Sequence, residues 1–123
     1  MNQTTQNLSA QCGLKTHVIE SIVGVLKQHP EVDSAILYGS RAKGNFRPGS
    51  DIDLTLTGEA LTYRLLTRIE DEIDDLMLPY LFDLSILRQI QNPNVVEHIY
   101  RVGLPFYTKA DHTKADDLSN SEA

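Results

Sequence analysis

The sequence predicts a small α/β (α+β) fold, in which helices flank a mixed or antiparallel sheet of three to four strands. Three observations predict it. Apolar residues recur at helical spacing in some segments, they alternate with polar residues in others, and glycine and proline separate these segments. The chain has 123 residues, of which 41% are hydrophobic, and this suits a single domain with one core.

The first patterned segment predicts a helix followed by a strand. We expect an amphipathic helix over residues 12–29, because apolar residues recur at helical spacing and the pattern stops at Pro30. These apolar residues are Leu14, Val18, Ile22, Val25 and Leu26. Residues 32–38 then predict a strand, whose apolar part from residue 34 to residue 38 is short enough to be buried on both faces.

A glycine-rich loop and a second strand follow. Residues 39–50 contain three glycines and a proline between two strands, so we expect a loop with at most one helical turn. Residues 51–57 alternate strictly between polar and apolar, which predicts a strand. Its core-facing residues are Ile52, Leu54 and Leu56, and its opposite face carries Asp51, Asp53 and Thr55. The short loop favours antiparallel pairing of the two strands.

The remaining pattern predicts a helix, a strand, a short helix and a last strand. The second helix has acidic residues from Glu70 to Asp75 on one side and an apolar stripe on the other. The stripe consists of Leu61, Leu65, Ile69, Ile73 and Leu76. In a third strand over residues 80–87, the apolar Phe82, Leu84 and Ile86 alternate with Asp83 and Ser85. Asn92 and Pro93 begin a short helix that ends at Gly103, and residues 104–108 predict the last strand.

The two ends of the chain differ from this patterned middle. Residues 1–10 and 109–123 are polar and have almost nothing to bury. We therefore expect a flexible N-terminal segment, a domain over residues 11–108 and a disordered polar tail.

Composition argues against several classes of protein. The 11 Lys and Arg residues face 17 Asp and Glu residues, so the surface as a whole should repel nucleic acid and anionic lipid. The single cysteine, Cys12, provides neither a disulfide framework nor a thiolate metal site. The sequence shows no signal peptide and no apolar stretch that could cross a membrane, and we expect a cytoplasmic protein.

Three aspartates form the candidate chemical site. Asp51 and Asp53 project side by side from one strand, and Asp83 on a neighbouring strand can face the same point. Close carboxylates raise one another's pKa unless a cation neutralises them, and oxygen ligands suit Mg²⁺ or Mn²⁺. The alternative is that Asp51 and Asp53 only solvate an exposed strand face while Asp83 points elsewhere.

The loop before these aspartates favours the chemical interpretation. Gly39 and Ser40 follow a buried strand and offer backbone N–H groups and a hydroxyl, which suit a phosphate. Arg41, Lys43 and Arg47 place three cations in an otherwise acidic protein, as a polyphosphate beside a metal would require. For Arg47, a solvated loop cation is an equal alternative. The combined pattern is specific: Gly-Ser, ten residues, Asp-x-Asp, and a third Asp in an apolar strand about thirty residues on.

These motifs resemble the minimal nucleotidyltransferases (MNT) of the polymerase-beta-like superfamily. The resemblance covers residues 14–108 and rests on Gly39-Ser40, on Asp51-x-Asp53 and on Asp83 within Leu-Phe-Asp-Leu. The whole string from Gly39 to Leu54 is similar to that of the small antitoxin nucleotidyltransferases that pair with HEPN-domain ribonuclease toxins.

The resemblance implies a role for each residue of the motifs. Asp51 and Asp53 would hold two Mg²⁺ ions, and Asp83, the third carboxylate, would orient and deprotonate the acceptor hydroxyl. Gly39 and Ser40 would grip the β- and γ-phosphates, and the three loop cations would steady the triphosphate. Two metals suit attack at the α-phosphorus in line with departing pyrophosphate.

The resemblance also implies a function. The chain would transfer AMP from ATP to a hydroxyl, that of a tyrosine, on a HEPN toxin encoded next to it, and so silence the toxin's ribonuclease. Larger relatives hold the acceptor with a second domain, so we expect a protein-borne acceptor here. Two alternatives stay open: an antitoxin that inhibits its partner by stoichiometric binding, and a dimeric nucleotidyltransferase acting on a small molecule such as an antibiotic.

Other polar residues receive structural interpretations. None of His17, His29, His98 and His112 has a cysteine or another histidine at ligand spacing, so we expect ordinary surface or helix residues. Tyr38 could stack on a base, but a core tyrosine at a strand end is the simpler interpretation. The acidic helix face is expected to be solvated, with a basic partner as the alternative.

Overall fold

The computed structural model describes residues 3–109, with side chains from Thr5 onward. The helices are α1 (Gln3–Cys12), α2 (Thr16–Lys27), α3 (Ser40–Lys43), α4 (Tyr63–Asp74) and α5 (Pro93–Val102), with a 3₁₀ turn at Leu87–Gln89. The strands are β1 (Ser34–Tyr38), β2 (Ile52–Thr57), β3 (Phe82–Ile86) and β4 (Leu104–Thr108).

The four strands form one mixed sheet in the order β3-β2-β1-β4. β1 pairs antiparallel with both β2 and β4, whereas β2 and β3 are parallel. The parallel pair follows from the connection, because α4 returns the chain to the end of the sheet at which β2 began. This architecture confirms the predicted α/β fold and the predicted antiparallel pairing of the first two strands.

The core lies on one face of the sheet, under α2 and α4. Leu54 is paired with Leu37 on one side and Leu84 on the other, and all three are buried. Ile52, Leu54 and Leu56 are completely buried, as their alternation predicted. β1 differs from its prediction, since only Ala35 and Leu37 are fully buried in it. The other face of β1, on which α5 packs, carries Ser34, Ile36 and Tyr38, and these residues stay partly exposed.

α5 begins and ends as the sequence predicted. The Asn92 side chain accepts a hydrogen bond from the Asn94 backbone N–H at 2.9 Å, and Pro93 occupies the first turn, where no N–H is needed. At the other end, the Gly103 backbone N–H donates to the Ile99 carbonyl at 2.8 Å.

The N-terminal segment differs most from the sequence prediction. Residues 3–10, expected to be flexible, belong to α1, which packs against α2 and α3. Leu8 and Cys12 are buried one helical turn apart, and the Arg41 guanidinium donates to the Cys12 carbonyl at 3.0 Å. Burial raises the pKa of the Cys12 thiol. Two apolar residues in a polar segment give too weak a periodicity to predict a helix. Tertiary contacts stabilise α1 instead.

The predicted tail from residue 110 onward lies outside the described residues. Lys109, the first residue of the predicted tail, is held by two hydrogen bonds. Its backbone N–H donates to the Asp33 carbonyl at 2.8 Å, and its ammonium group donates to the Pro30 carbonyl at 2.7 Å. Within the described part of the chain, every helix is too short or too polar to cross a bilayer.

Candidate active site

The turn that follows β1 is built for a glycine. Gly39 has a φ of +77° and a ψ of −158°, a conformation that residues with a side chain rarely adopt. A Cβ atom at Gly39 would lie 2.2 Å from Oδ2 of Asp53. The backbone conformation and the close carboxylate therefore both require glycine, and the motif Gly39-Ser40 is brought directly onto the motif Asp51-x-Asp53.

Strand pairing brings the predicted carboxylates together. Asp53 on β2 is the register partner of Asp83 on β3 and, on its other side, of Tyr38 on β1. Burial raises the pKa of Asp53, and the charges of Asp83 and then Asp51 raise it further. Asp53 is half-buried, whereas Asp51 and Asp83 are exposed. The three aspartates thus repel one another at one end of neighbouring strands, as expected for a site that accepts a cation.

The donor set suits Mg²⁺, although the carboxylates alone do not enclose an ion. Among residues 3–109, no three His, Cys, Asp or Glu side chains are arranged as a ready-made metal centre. Mg²⁺ is commonly held by one or two carboxylates together with substrate phosphates rather than by a cage of protein ligands. Oxygen-only donors with unfavourable mutual repulsion fit this mode of binding.

Arg41 does not have the role that the sequence predicted for it. Its side chain is buried, and its guanidinium donates to the carbonyls of Ser50 at 3.1 Å, Cys12 at 3.0 Å and Pro48 at 3.2 Å. The same guanidinium lies over the rings of Phe46 and Tyr80, at 5.4 and 5.1 Å from their centroids. Arg41 therefore fastens the glycine-rich loop to α1 and is not free to steady a triphosphate.

The side chains of Ser40, Lys43 and Arg47, also predicted to bind phosphate, remain available. Lys43 and Arg47 are exposed on the loop, and Ser40 is partly exposed at the start of α3. No hydrogen bond or ion pair engages their side-chain polar atoms among the residues that the structure describes. The loop contains the single helical turn α3, as expected, and both Lys43 at its end and Arg47 after it are exposed.

Two residues outside the predicted site contact it. The Gly39 backbone N–H donates to Nε2 of His98 at 3.2 Å, so this histidine is not an ordinary helix residue. Tyr38 packs edge-on against the His98 ring, with centroids 6.2 Å apart. Tyr38 is half-buried at the edge of the site rather than in the core. His98 falls at i, i+3, i+7 spacing with Val95 and Val102, a signal that could have placed it on the inner side of α5.

A cavity of about 470 Å³ lies elsewhere, at the opposite end of the strands. It is lined by residues that include Asp33, Leu56, Leu87 and Tyr100, and by none of the predicted site residues. The chemistry of the carboxylates, and not the size of this cavity, identifies the candidate active site.

Solved structures share this fold over most of the chain. A chain of a toxin-antitoxin crystal structure with AMP-PNP superposes with a TM-score of 0.61 at 16% identity, covering 85% of this chain and 84% of that chain. A chain from a complex of tri-AMPylated HEPN toxin with MNT antitoxin, from Shewanella oneidensis, gives 0.59 at 14% identity, covering 83% and 79%. A putative nucleotidyltransferase from Sulfolobus solfataricus gives 0.52 at 12% identity, covering 89% and 91%. At these identities the likeness concerns the fold alone.

The sequence itself matches a family model. No functionally curated protein is significantly similar to the chain. The model for polymerase beta nucleotidyltransferases matches residues 20–112, which is well over half of the chain and includes the Gly39 turn and all three aspartates. The chain therefore belongs to the polymerase beta nucleotidyltransferase family.

Proposed function

We propose that the chain is an antitoxin that acts as a Mg²⁺-dependent nucleotidyltransferase. It transfers AMP from ATP to a hydroxyl, that of a tyrosine, on a partner HEPN ribonuclease toxin and so neutralises it. The observation that carries the proposal is the Gly39 turn closed on Asp53, with Asp83 as the register partner of Asp53. This places a phosphate-binding turn against carboxylates in a chain of the nucleotidyltransferase family.

The structural neighbours support the nucleotide and the partner. One is a toxin-antitoxin structure with AMP-PNP, and another contains a tri-AMPylated HEPN toxin with its MNT antitoxin. Each superposes on more than four fifths of this chain. The exposure of Asp51 and Asp83 also favours a protein acceptor, because a hydroxyl on another protein can reach exposed carboxylates at a strand end.

The side chains of the site have separate roles in the transfer, metal binding for the aspartates and phosphate binding for the loop residues. Asp51, Asp53 and Asp83 would hold Mg²⁺, which when bound neutralises charge on the phosphates and on the attacking and leaving oxygens. The Ser40 hydroxyl donates to a phosphate oxygen, and the exposed cations Lys43 and Arg47 offset the charge of the triphosphate.

Asp83 is the carboxylate we assign to the acceptor. It lies on the outermost strand of the sheet and is exposed, so a hydroxyl can approach it from outside. The hydroxyl oxygen forms a bond to the α-phosphorus, the bond from that phosphorus to pyrophosphate breaks, and Asp83 takes the hydroxyl proton. The products are AMP-modified toxin and pyrophosphate.

The test is intact mass spectrometry of the protein that co-purifies with the full chain, after incubation with ATP and Mg²⁺. We expect the partner to gain one or more AMP units, and peptide mapping to place them on tyrosine. Asp53→Asn should abolish the gain. Asp33→Asn is the matched control, because Asp33 is an exposed aspartate at the opposite end of the sheet and should leave transfer unchanged.

The alternatives predict other outcomes. Two results together would contradict catalysis and favour stoichiometric inhibition. The partner would form a stable complex without a change in mass, and the Asp53→Asn variant would still protect cells fully from the toxin. Transfer to a small acceptor in the absence of any protein partner would instead favour a small-molecule nucleotidyltransferase.

A further inference from the structure

We propose that His98 is a positioning residue of the nucleotide site, which holds the Gly39 turn in the conformation that binds phosphate. This inference rests on the proposed nucleotidyl transfer and adds a residue from outside both sequence motifs. Its basis is the contact between the end of the glycine turn and α5, two elements that are about sixty residues apart in sequence.

The hydrogen bond fixes the chemical form of the ring. Nε2 of His98 lies 3.2 Å from the Gly39 nitrogen, whose N–H can only donate. Nε2 is therefore the acceptor, and the ring in this arrangement is neutral with its proton on Nδ1. The edge-on contact with Tyr38 limits rotation of the ring.

The His98 ring is carried by α5, a helix that is packed firmly against the sheet. Ile99, the next residue of α5, is buried. Gly103, which ends the helix, lies close against β1. A Cβ atom at Gly103 would lie 2.7 Å from Cγ2 of Ile36. Such close packing leaves α5 little room to shift, so His98 is a fixed point against which the turn can be held.

The turn needs a fixed point because glycine has no conformational preference of its own that would maintain it. The Gly39 carbonyl is held by the Lys43 backbone N–H at 3.1 Å, within α3. The Gly39 N–H is held by His98. These two hydrogen bonds hold Gly39 at both its N–H and its carbonyl. Gly39 lies between Ser40 and the Asp53 carboxylate, so the loss of either bond lets the distance between Ser40 and that carboxylate vary.

The test measures the affinity of the full chain for a non-hydrolysable ATP analogue with Mg²⁺, without the partner. We expect His98→Leu, which removes the acceptor, to raise the dissociation constant about tenfold. His98→Gln places Oε1 at about the reach of Nε2 and should bind within about threefold of the unmodified chain. His17→Leu is the control, since it makes the same change at an exposed histidine of α2.

A second readout separates positioning from folding. A purely structural role would lower the melting temperature and the fraction of active protein but would leave the dissociation constant and the KM for ATP unchanged. If His98 positions the turn, His98→Leu raises the KM for ATP more than it lowers kcat, and His98→Gln restores the KM.

The inference is overturned if His98→Leu binds the analogue as tightly as, or more tightly than, the unmodified chain. It is also overturned if Leu and Gln weaken binding equally. Should the unmodified chain bind no nucleotide, the proposed function fails first and this inference fails with it.

Discussion

The two faces of the same strands have opposite consequences for stability. On one face, Leu54 lies between Leu37 and Leu84 under α2 and α4, where burial of apolar surface favours folding. On the other face, Asp53 lies between Tyr38 and Asp83, where burial and like charges raise its pKa. The apolar face therefore stabilises a site whose own charges oppose folding, a balance that is common at functional sites.

The largest expected effect comes from Asp53→Asn, which should lower the rate of nucleotidyl transfer by at least about 10³-fold. The same change should raise stability in EDTA by on the order of 1 kcal/mol, because a neutral amide escapes the repulsion of Asp83 and Asp51. Urea unfolding measures stability, and mass spectrometry measures transfer. A variant that is both inactive and less stable would contradict the opposition between the two faces.

The complementary change on the apolar face is Leu54→Ala. It should lower the free energy of unfolding by about 3 kcal/mol, through lost burial and the cavity that remains. Leu81→Ala serves as the control, because Leu81 is 75% exposed and should change stability by less than about 0.5 kcal/mol. Equal effects in urea unfolding would show that the core is not where the structure places it.

Within the glycine-rich loop, Arg41→Lys should lower the free energy of unfolding by about 2 kcal/mol. Lysine keeps the charge, but its compact ammonium lacks the planar fork with which the guanidinium reaches three separate carbonyls and lies over the rings of Phe46 and Tyr80. Thermal unfolding checks this. If stability were unchanged and the KM for ATP rose instead, the original phosphate-binding interpretation of Arg41 would be restored.

The exposed loop cations Lys43 and Arg47 should affect the KM for ATP and not stability, the opposite of what we expect for Arg41. Alanine at Lys43 and Arg47 together should raise the KM for ATP about fivefold, the scale expected for exposed charges near a phosphate, and should leave thermal stability unchanged. The effect should shrink as salt is added, since both side chains are exposed. A KM that is independent of both residues would leave them as solvated loop cations.

The smallest expected effect lies outside both faces, in the loop after α4. Met77 is 84% exposed and has a φ of +58°, which is unfavourable for a residue with a side chain. Met77→Gly should raise the free energy of unfolding by about 0.5 kcal/mol, since glycine adopts this conformation without strain. A decrease in urea unfolding would show that the Met77 side chain makes a stabilising contact.

Periodicity was sufficient for most of the fold. The strict alternation of residues 51–57 predicted which side chains of β2 enter the core, and Asn92-Pro93 with Gly103 predicted both ends of α5. Periodicity failed for α1, whose polar sequence buries only Leu8 and Cys12 among its described side chains. Local pattern reports a helix only when a whole apolar stripe is buried.

The site was predictable to the extent that it lies in contiguous motifs. Gly39, Asp51 and Asp53 are close in sequence and become neighbours through a short antiparallel connection. Arg41 was misinterpreted because a loop cation has the same sequence signature whether it faces a phosphate or three backbone carbonyls. His98 was missed because its partner is a backbone N–H, which carries no residue-specific signal.

The sequence by itself determined the alternation of the strands, the glycine turn and the spacing of the carboxylates, because these depend on local backbone geometry and on side-chain chemistry. Only the tertiary structure decided that Arg41 turns inward, that α1 is ordered against it, and that His98 reaches the Gly39 N–H. The physical reason is that these contacts join distant segments, and which of several available polar partners a side chain takes is settled by packing.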